Sequence, residues 1–208
     1  MTNSKRVQFG CGLCAPHEWL NFDSSPTLQL QRLPVVGGLV PTGPYGRFPK
    51  NVRYGDIVSG LPVPDGSVEL LYCSHVLEHL ALSDLRTALR NCRRMLRSGG
   101  VFRLVLPDLE YLISEYVADS SPAAAVHFME GTMLGRETRP RGVGAMLRDW
   151  LGNSRHLWMW DFKGLAAQLR SAGFDSIRRA AYDDSAMAAF RQVETAERWM
   201  NCLGIECS

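Results

Sequence analysis

Short apolar runs bounded by turn residues recur along the chain, and between several of them the apolar residues fall at helical spacing. Arg6–Gly10 (RVQFG), Trp19–Asp23 (WLNFD) and Val52–Ile57 (VRYGDI) read as strands. Val68–Ser74, VELLYCS, is apolar enough to be a central strand buried on both faces. Leu82, Leu85, Leu89, Cys92 and Leu96 share one face of a helix, with Ser83 as its N-cap and Gly99-Gly100 as its stop. Val101–Leu106 is the next strand, ended by Pro107-Asp108, and Leu109, Leu112, Ile113, Tyr116 and Val117 follow as an amphipathic helix. Asp161 caps a helix over Phe162–Ala172, with Leu165, Ala166 and Leu169 inward and Gly173 at C′. Ser176–Tyr182 reads as a strand, Ala186–Trp199 as helix and Met200–Cys207 as a last short strand. Strands alternating with helices predict an α/β, doubly wound sheet, in one domain over residues 1–208.

Two stretches break the alternation. Ser24–Lys50 is rich in Pro and Gly and reads as loop, with room for one short helix around Leu28–Leu33. Ser120–Gly152 is spotted with Gly and Arg and shows no core pattern, so it reads as a cap inserted after the fifth strand, the insert as a whole spanning 120–158.

Composition narrows the function classes. Hydrophobic content of 46% and charged content of 21% are ordinary for a globular domain. A net charge of +2 argues against nucleic acid as a partner. No apolar run approaches membrane-spanning length, which argues against a membrane partner, and the N-terminus lacks an apolar signal region. Six cysteines without such a signal point to free thiols in a cytoplasmic protein.

The stretch from Val7 to Asp23 carries the candidate chemistry. A strand, a glycine turn and a second strand ending in an acid form a ligand site at the carboxyl edge of an open α/β sheet. Gly10 and Gly12 let a ligand lie against bare backbone, and Asp23 is placed to accept two hydrogen bonds from a ribose diol. Gly10, Gly12 and Ala15 match the loose dinucleotide pattern, but Pro16 follows at once and the acid arrives too early for a full helix. A nucleoside cofactor without phosphates, such as S-adenosylmethionine, needs no such helix. In that reading Asp56 reaches the adenine amine, or else caps its own loop. Cys11 and Cys14 form a C-x-x-C without a second pair, so Cys11 is expected to be a small buried residue rather than a redox or zinc group.

His75–His79 spells H-x-x-E-H, a pattern of inverted zinc proteases. It directly follows a buried strand instead of lying within a helix, and a third ligand, His156 or Asp108, is not demanded by spacing. The expectation is therefore no metal, with a zinc hydrolase kept as an alternative.

Four runs together are specific. FGCG…WLNFD, DIVSGLPVPDGSVELLYCSHVLEHL, LRNCRRMLRSGGVFRLVLPDL and HLWMWDFKGLAAQLRSAGF resemble a class I S-adenosylmethionine-dependent methyltransferase of the type-11 group. The resemblance implies a seven-stranded Rossmann-like sheet with a reversed last strand. It places Gly10 and Gly12, with their neighbours Phe9 and Cys11, beside the methionine part of the cofactor. It assigns Asp23 to the ribose, Asp56 with Ile57 to the adenine, and Ser74 with His75 to the loop near the sulfonium. The helix after the glycine turn is missing or reduced to one turn, and covering N-terminal helices are absent. The Ser24–Lys50 loop, the insert, or a second subunit in a homodimer must then close the site.

Methyl transfer from a sulfonium mainly requires alignment and exclusion of water. Where a base helps, His156, His75 and Asp108 are the candidates, in that order. Arg136, Arg139, Arg141, Arg148 and Arg155 make the insert basic; one or two of them, Arg141 being the chosen one, are expected to grip an anionic acceptor, the alternative being solvated loop arginines. Trp150, Trp158 and Trp160 either wall the acceptor pocket, with Trp158 the chosen contact, or form the insert's own small core, and Glu78 is expected with His75 near the reacting methyl. The predicted activity is methylation of an O or N atom of a small molecule, a sugar or secondary metabolite. The alternative from another class is a cofactor-binding module without its own catalysis.

Overall fold

The computed structural model describes residues 5–39, 46–138, 142 and 155–208. Its centre is a seven-stranded sheet of order β3-β2-β1-β4-β5-β7-β6. The strands are β1 (Lys5–Phe9), β2 (Leu20–Asp23), β3 (Val52–Tyr54), β4 (Val68–Ser74), β5 (Leu96–Pro107), β6 (Arg178–Ala180) and β7 (Cys202–Cys207). β1 to β5 run parallel, and β7 enters between β5 and β6 antiparallel to both. The doubly wound sheet with a reversed last strand is thus the observed architecture. Chain order reverses between β1 and β4, which opens a crevice at their carboxyl ends.

The helices are α1 (Pro26–Arg32), α2 (Leu82–Met95), α3 (Leu109–Ala118), α4 (Ala124–Gly131) and α5 (Phe162–Ser171) among the described residues. α2 buries Leu85, Ala88, Leu89, Cys92 and Met95, one stripe at helical spacing, against the sheet. Each buried leucine contributes about 1.5–3 kcal/mol. α5 packs Leu165 and Leu169 into the same core, with Asp161 Oδ1 accepting from Gly164 N at 2.8 Å as its N-cap. The opposite face of the sheet has a smaller core of Trp19, Leu70, Tyr72, Val105, Phe190, Val193 and Trp199.

Several boundaries differ from the sequence reading. α2 starts at Leu82 with Ala81 as an N-cap that makes no side-chain bond, so Ser83 lies inside the helix. It ends at Met95, because Leu96 turns extended and pairs with Val68 in the core. Gly99 and Gly100 instead belong to β5. Gly99 takes φ +69°, and a Cβ on Gly100 would sit 2.8 Å from the Val68 carbonyl oxygen. β3 stops at Tyr54, since Asp56 folds back to accept from Val58 N and Ser59 Oγ. The expected helix over Ala186–Trp199 is two 3-10 turns, Ala188–Gln192 and Ala196–Arg198. The chain breaks between them where Glu194 turns inward to pair with Arg103, which is fully buried in β5.

Candidate active site

The connection from β1 to β2 contains no helix, and side chains hold it in its place. Gln8, buried in β1, donates to the Cys14 carbonyl at 2.7 Å and to Asn21 Oδ1 at 2.6 Å. Asn21 in turn donates to the carbonyls of Pro16 and Trp19, and Asn51 ties Ala15. These amides satisfy a loop that a helix would otherwise satisfy internally. Gly10 and Gly12 both take positive φ. A Cβ on Gly10 would lie 2.1 Å from Val76 Cγ2, so the turn needs glycine there for space as well as conformation.

Asp23 closes the turn. Its Oδ2 accepts from Gly12 N at 2.9 Å and its Oδ1 from Ser25 N at 2.8 Å. An ionised carboxylate has about four acceptor sites, so each oxygen keeps one for a ligand. The two amides fix the carboxylate before any ligand arrives.

Beyond it lies a cavity of about 820 Å³, within the span of small-molecule sites. Gly10, Asp23, Asp56, Ile57, His75 and His79 all border it. His75 holds φ +54°, unusual for a non-glycine residue, with its N–H on the Val105 carbonyl at 2.9 Å. Its Nε2 lies 2.9 Å from the Arg198 carbonyl oxygen, and its Nδ1 lies 3.4 Å from Glu78 Oε1. Burial lowers its pKa, but Cys202, Glu78 and the Arg198 carbonyl outweigh that and raise it to about 9. His75 therefore carries its proton at neutral pH.

Residues 7–104 match the family model described as a methyltransferase domain. Over that stretch, from β1 into β5, the chain resembles a methyltransferase domain. A SAM-dependent methyltransferase from Thermotoga maritima, named as a possible histamine N-methyltransferase, superposes with a TM-score of 0.52 at 14% identity, over 98% of this chain and 81% of that one. The methyltransferase in complex with the Trm112 methyltransferase activator of Haloferax volcanii gives 0.50 at 16%, over 99% of this chain and 81% of that one. PigF with SAH gives 0.50 at 18%, over 99% of this chain but 56% of that one. At such identities the likeness is one of fold. No match is found among curated proteins.

The predicted cofactor residues divide into two groups. Gly10, Asp23, Asp56, Ile57 and His75 border the cavity, whereas Phe9, Cys11, Gly12 and Ser74 are not on its lining, and Phe9, Cys11 and Ser74 are buried. Asp56 uses both oxygens on its own turn, as in the loop-capping alternative, while still facing the cavity. Ser74 is held by Arg198, whose Nε donates to its Oγ at 2.7 Å and whose Nη2 donates to its carbonyl at 2.9 Å. Burial and nearby Asp23 push the Cys11 thiol up to about 12, and Cys14 reaches instead toward the Gln192 carbonyl. The C-x-x-C is two independent free thiols.

The predicted bases and acceptor contacts are placed less favourably. Asp108 caps α3 through Glu110 N at 2.9 Å and pairs with Arg179, away from the cavity. Its role here is structural, because a cap at the end of β5 and a cation occupy its oxygens. His156 is buried, with Nδ1 2.8 Å from the Thr132 carbonyl oxygen and Nε2 facing Glu78 rather than the cavity. Burial holds its pKa down. Glu78 is fully buried behind the cavity wall, and Trp158 stacks on Trp160 at 5.9 Å, outside the cavity lining. Arg139, Arg141, Arg148 and Trp150 lie outside the described residues. The H-x-x-E-H stretch is a left-handed residue followed by a 3-10 turn over Leu77–His79, so His75 and His79 do not share a helix face. Sequence reasoning missed Ser25, Tyr54 and Leu157 on the cavity wall and Arg198 behind it. Tyr54 was accessible as a residue of the predicted third strand, whereas Arg198 arrives 124 residues after Ser74 and leaves no local signal.

Proposed function

We propose that this protein transfers a methyl group from S-adenosylmethionine to a nitrogen or oxygen atom of a small-molecule acceptor, with a sugar or secondary metabolite of anionic character as the expected class. The observation that carries the reading is the fixed Asp23 carboxylate at the carboxyl end of β2, beside the switch point of the sheet, with one acceptor site free on each oxygen. The residues fit the cofactor. Asp23 holds the ribose hydroxyls, Gly10 offers backbone without a Cβ, and Asp56 and Ile57 border the adenine end of the cavity. S-adenosylmethionine, when bound, supplies an electrophilic methyl on a sulfonium, already activated for displacement. The chain's own part is alignment and exclusion of water. His75 is protonated and Asp108 is spent on capping, so neither takes a proton as placed. A neutral amine or a preformed oxyanion is the acceptor state that this site serves, the amine's proton passing to solvent after transfer.

The test is conversion of S-adenosylmethionine to S-adenosylhomocysteine in the presence of a panel of amines, phenols, sugars and carboxylates. Turnover with at least one acceptor supports the reading. Tight cofactor binding with no turnover on any acceptor favours the binding module.

A further inference from the structure

Behind the cavity wall, three metal-ligating side chains from two distant parts of the chain converge. Glu78 and His79 sit side by side in the 3-10 turn, and His156 arrives at the end of the inserted region. One ligand atom from each lies within 4.8 Å of the other two. From Glu78 Oε1, His79 Nε2 and His156 Nε2 are each 4.0 Å away.

Glu78 is 0% exposed, and neither carboxylate oxygen has a hydrogen-bond partner. A buried carboxylate without a hydrogen bond costs several kcal/mol; His75 Nδ1, 3.4 Å from Oε1, offsets part of that, and a cation seated among the ligands would offset more. The two histidines are not hydrogen-bonding partners for it. His79 Nδ1 is 2.8 Å from the Arg155 carbonyl oxygen, and His156 Nδ1 is 2.8 Å from the Thr132 carbonyl oxygen. A carbonyl only accepts, so each Nδ1 carries a hydrogen and each ring turns its Nε2 toward the carboxylate. A cation seated among the three atoms would be ligated by all of them. Carbonyls holding the far nitrogen are also the usual outer shell of metal-bound histidine.

We propose that Glu78, His79 and His156 bind a divalent transition-metal ion, zinc being the first choice. Two imidazole nitrogens and one carboxylate oxygen are a zinc or iron donor set, whereas calcium and magnesium take oxygen. Ligands at 2.0–2.2 Å from a tetrahedral ion stand ~3.4 Å apart, so side-chain shifts of up to about an ångström complete the site. Three protein ligands leave a further position open. His79 also borders the cavity, so the ion would lie beside its wall. The ion would additionally pin the return from the insert, where Leu157 N and Trp158 N already donate to the Glu78 carbonyl at 2.7 and 3.1 Å. The proposal stands apart from the methyl-transfer reading.

The test is a zinc titration by calorimetry of the full chain after chelator treatment. A parallel cobalt titration is followed by absorption, and S-adenosylhomocysteine binding to the same sample checks the fold. The expected result is one zinc per chain and a visible cobalt spectrum. Affinity should fall by at least about tenfold in His79→Ala, His156→Ala and the isosteric Glu78→Gln, the loss that even an outer-shell group carries. Cys11→Ser/Cys14→Ser should bind as wild type does. Absence of saturable binding by the wild-type chain overturns the proposal and leaves protonated His75 as the neutraliser of Glu78. Binding that survives in the His79→Ala/His156→Ala double variant, or that is lost with the two cysteines, overturns it equally.

Discussion

Asp23→Ala is the perturbation with the sharpest expected effect, because it separates ligand binding from folding. The carboxylate is engaged on its protein side by Gly12 N and Ser25 N, and both residues are half-buried. Water can replace those two bonds in the unliganded variant, so the stability cost is about 1 kcal/mol, the net value of a hydrogen bond. For a domain of this size that lowers Tm by about 2–4 °C. On the ligand side the loss is larger. Two bonds from ribose hydroxyls to an ionised acceptor carry about 1.5–3 kcal/mol each, and water in the vacated space returns part of it. A net loss of about 3 kcal/mol weakens binding roughly a hundredfold. The assay is calorimetry of S-adenosylhomocysteine and S-adenosylmethionine on both proteins, with thermal melts of the unliganded forms. Asp23→Asn should lose nearly as much, since its amide nitrogen must face one of the two backbone N–H groups. A folded Asp23→Ala protein whose affinity stays within about threefold of wild type would refute the placement of the ribose.

Two further outcomes follow from the same geometry. Gly10→Ala should destabilise more than Gly12→Ala in urea melts. Both strain a left-handed backbone by about 1–2 kcal/mol, but only the first drives a methyl into Val76; equal losses would contradict the close approach. Arg103→Met should cost about 3–5 kcal/mol, because it strands the buried Glu194 carboxylate; a loss under about 1 kcal/mol would show that Glu194 is neutral or solvated. Asp184 belongs to the same network. Burial opposes its ionisation, but Arg178 and Arg103 hold its pKa at about 2, below the ordinary 3.8. A depressed carboxyl stabilises fully above 3.8 and loses that contribution as pH falls toward 2. Asp184→Asn should therefore flatten the acid limb of the stability curve in that window, and an unchanged limb would exclude the pairing.

The sheet was legible because each of its strands is a local signal. Val68–Ser74 announces itself by unbroken apolar character, and α5 by an acid cap, a leucine stripe and a terminal glycine. Boundaries failed where a distant partner overrode local preference. Leu96 has a helical spacing but gains more by pairing with Val68 in the core. Ala186–Trp199 has helix-forming composition, yet Glu194 must leave any helical face to reach Arg103 in β5, and the helix breaks there.

The cofactor edge and the side behind it differ in the same way. Gly10, Gly12 and Asp23 lie within fourteen residues, so a turn needing positive φ and an acid at a strand tip could be read together before any fold was known. His156 and Arg198 have no such neighbours. The role of each is set by what it meets, the Thr132 carbonyl and Glu78 for one and the end of β4 for the other. The sequence pattern H-x-x-E-H drew attention to the right segment for a wrong geometry. It presumed a helix pairing His75 with His79, whereas the left-handed His75 sends its ring to the Arg198 carbonyl. His79 keeps its free nitrogen for Glu78 and His156 instead. A motif fixes which residue types are near one another along the chain. The backbone conformation at one residue, here φ +54° at His75, decides which of them converge.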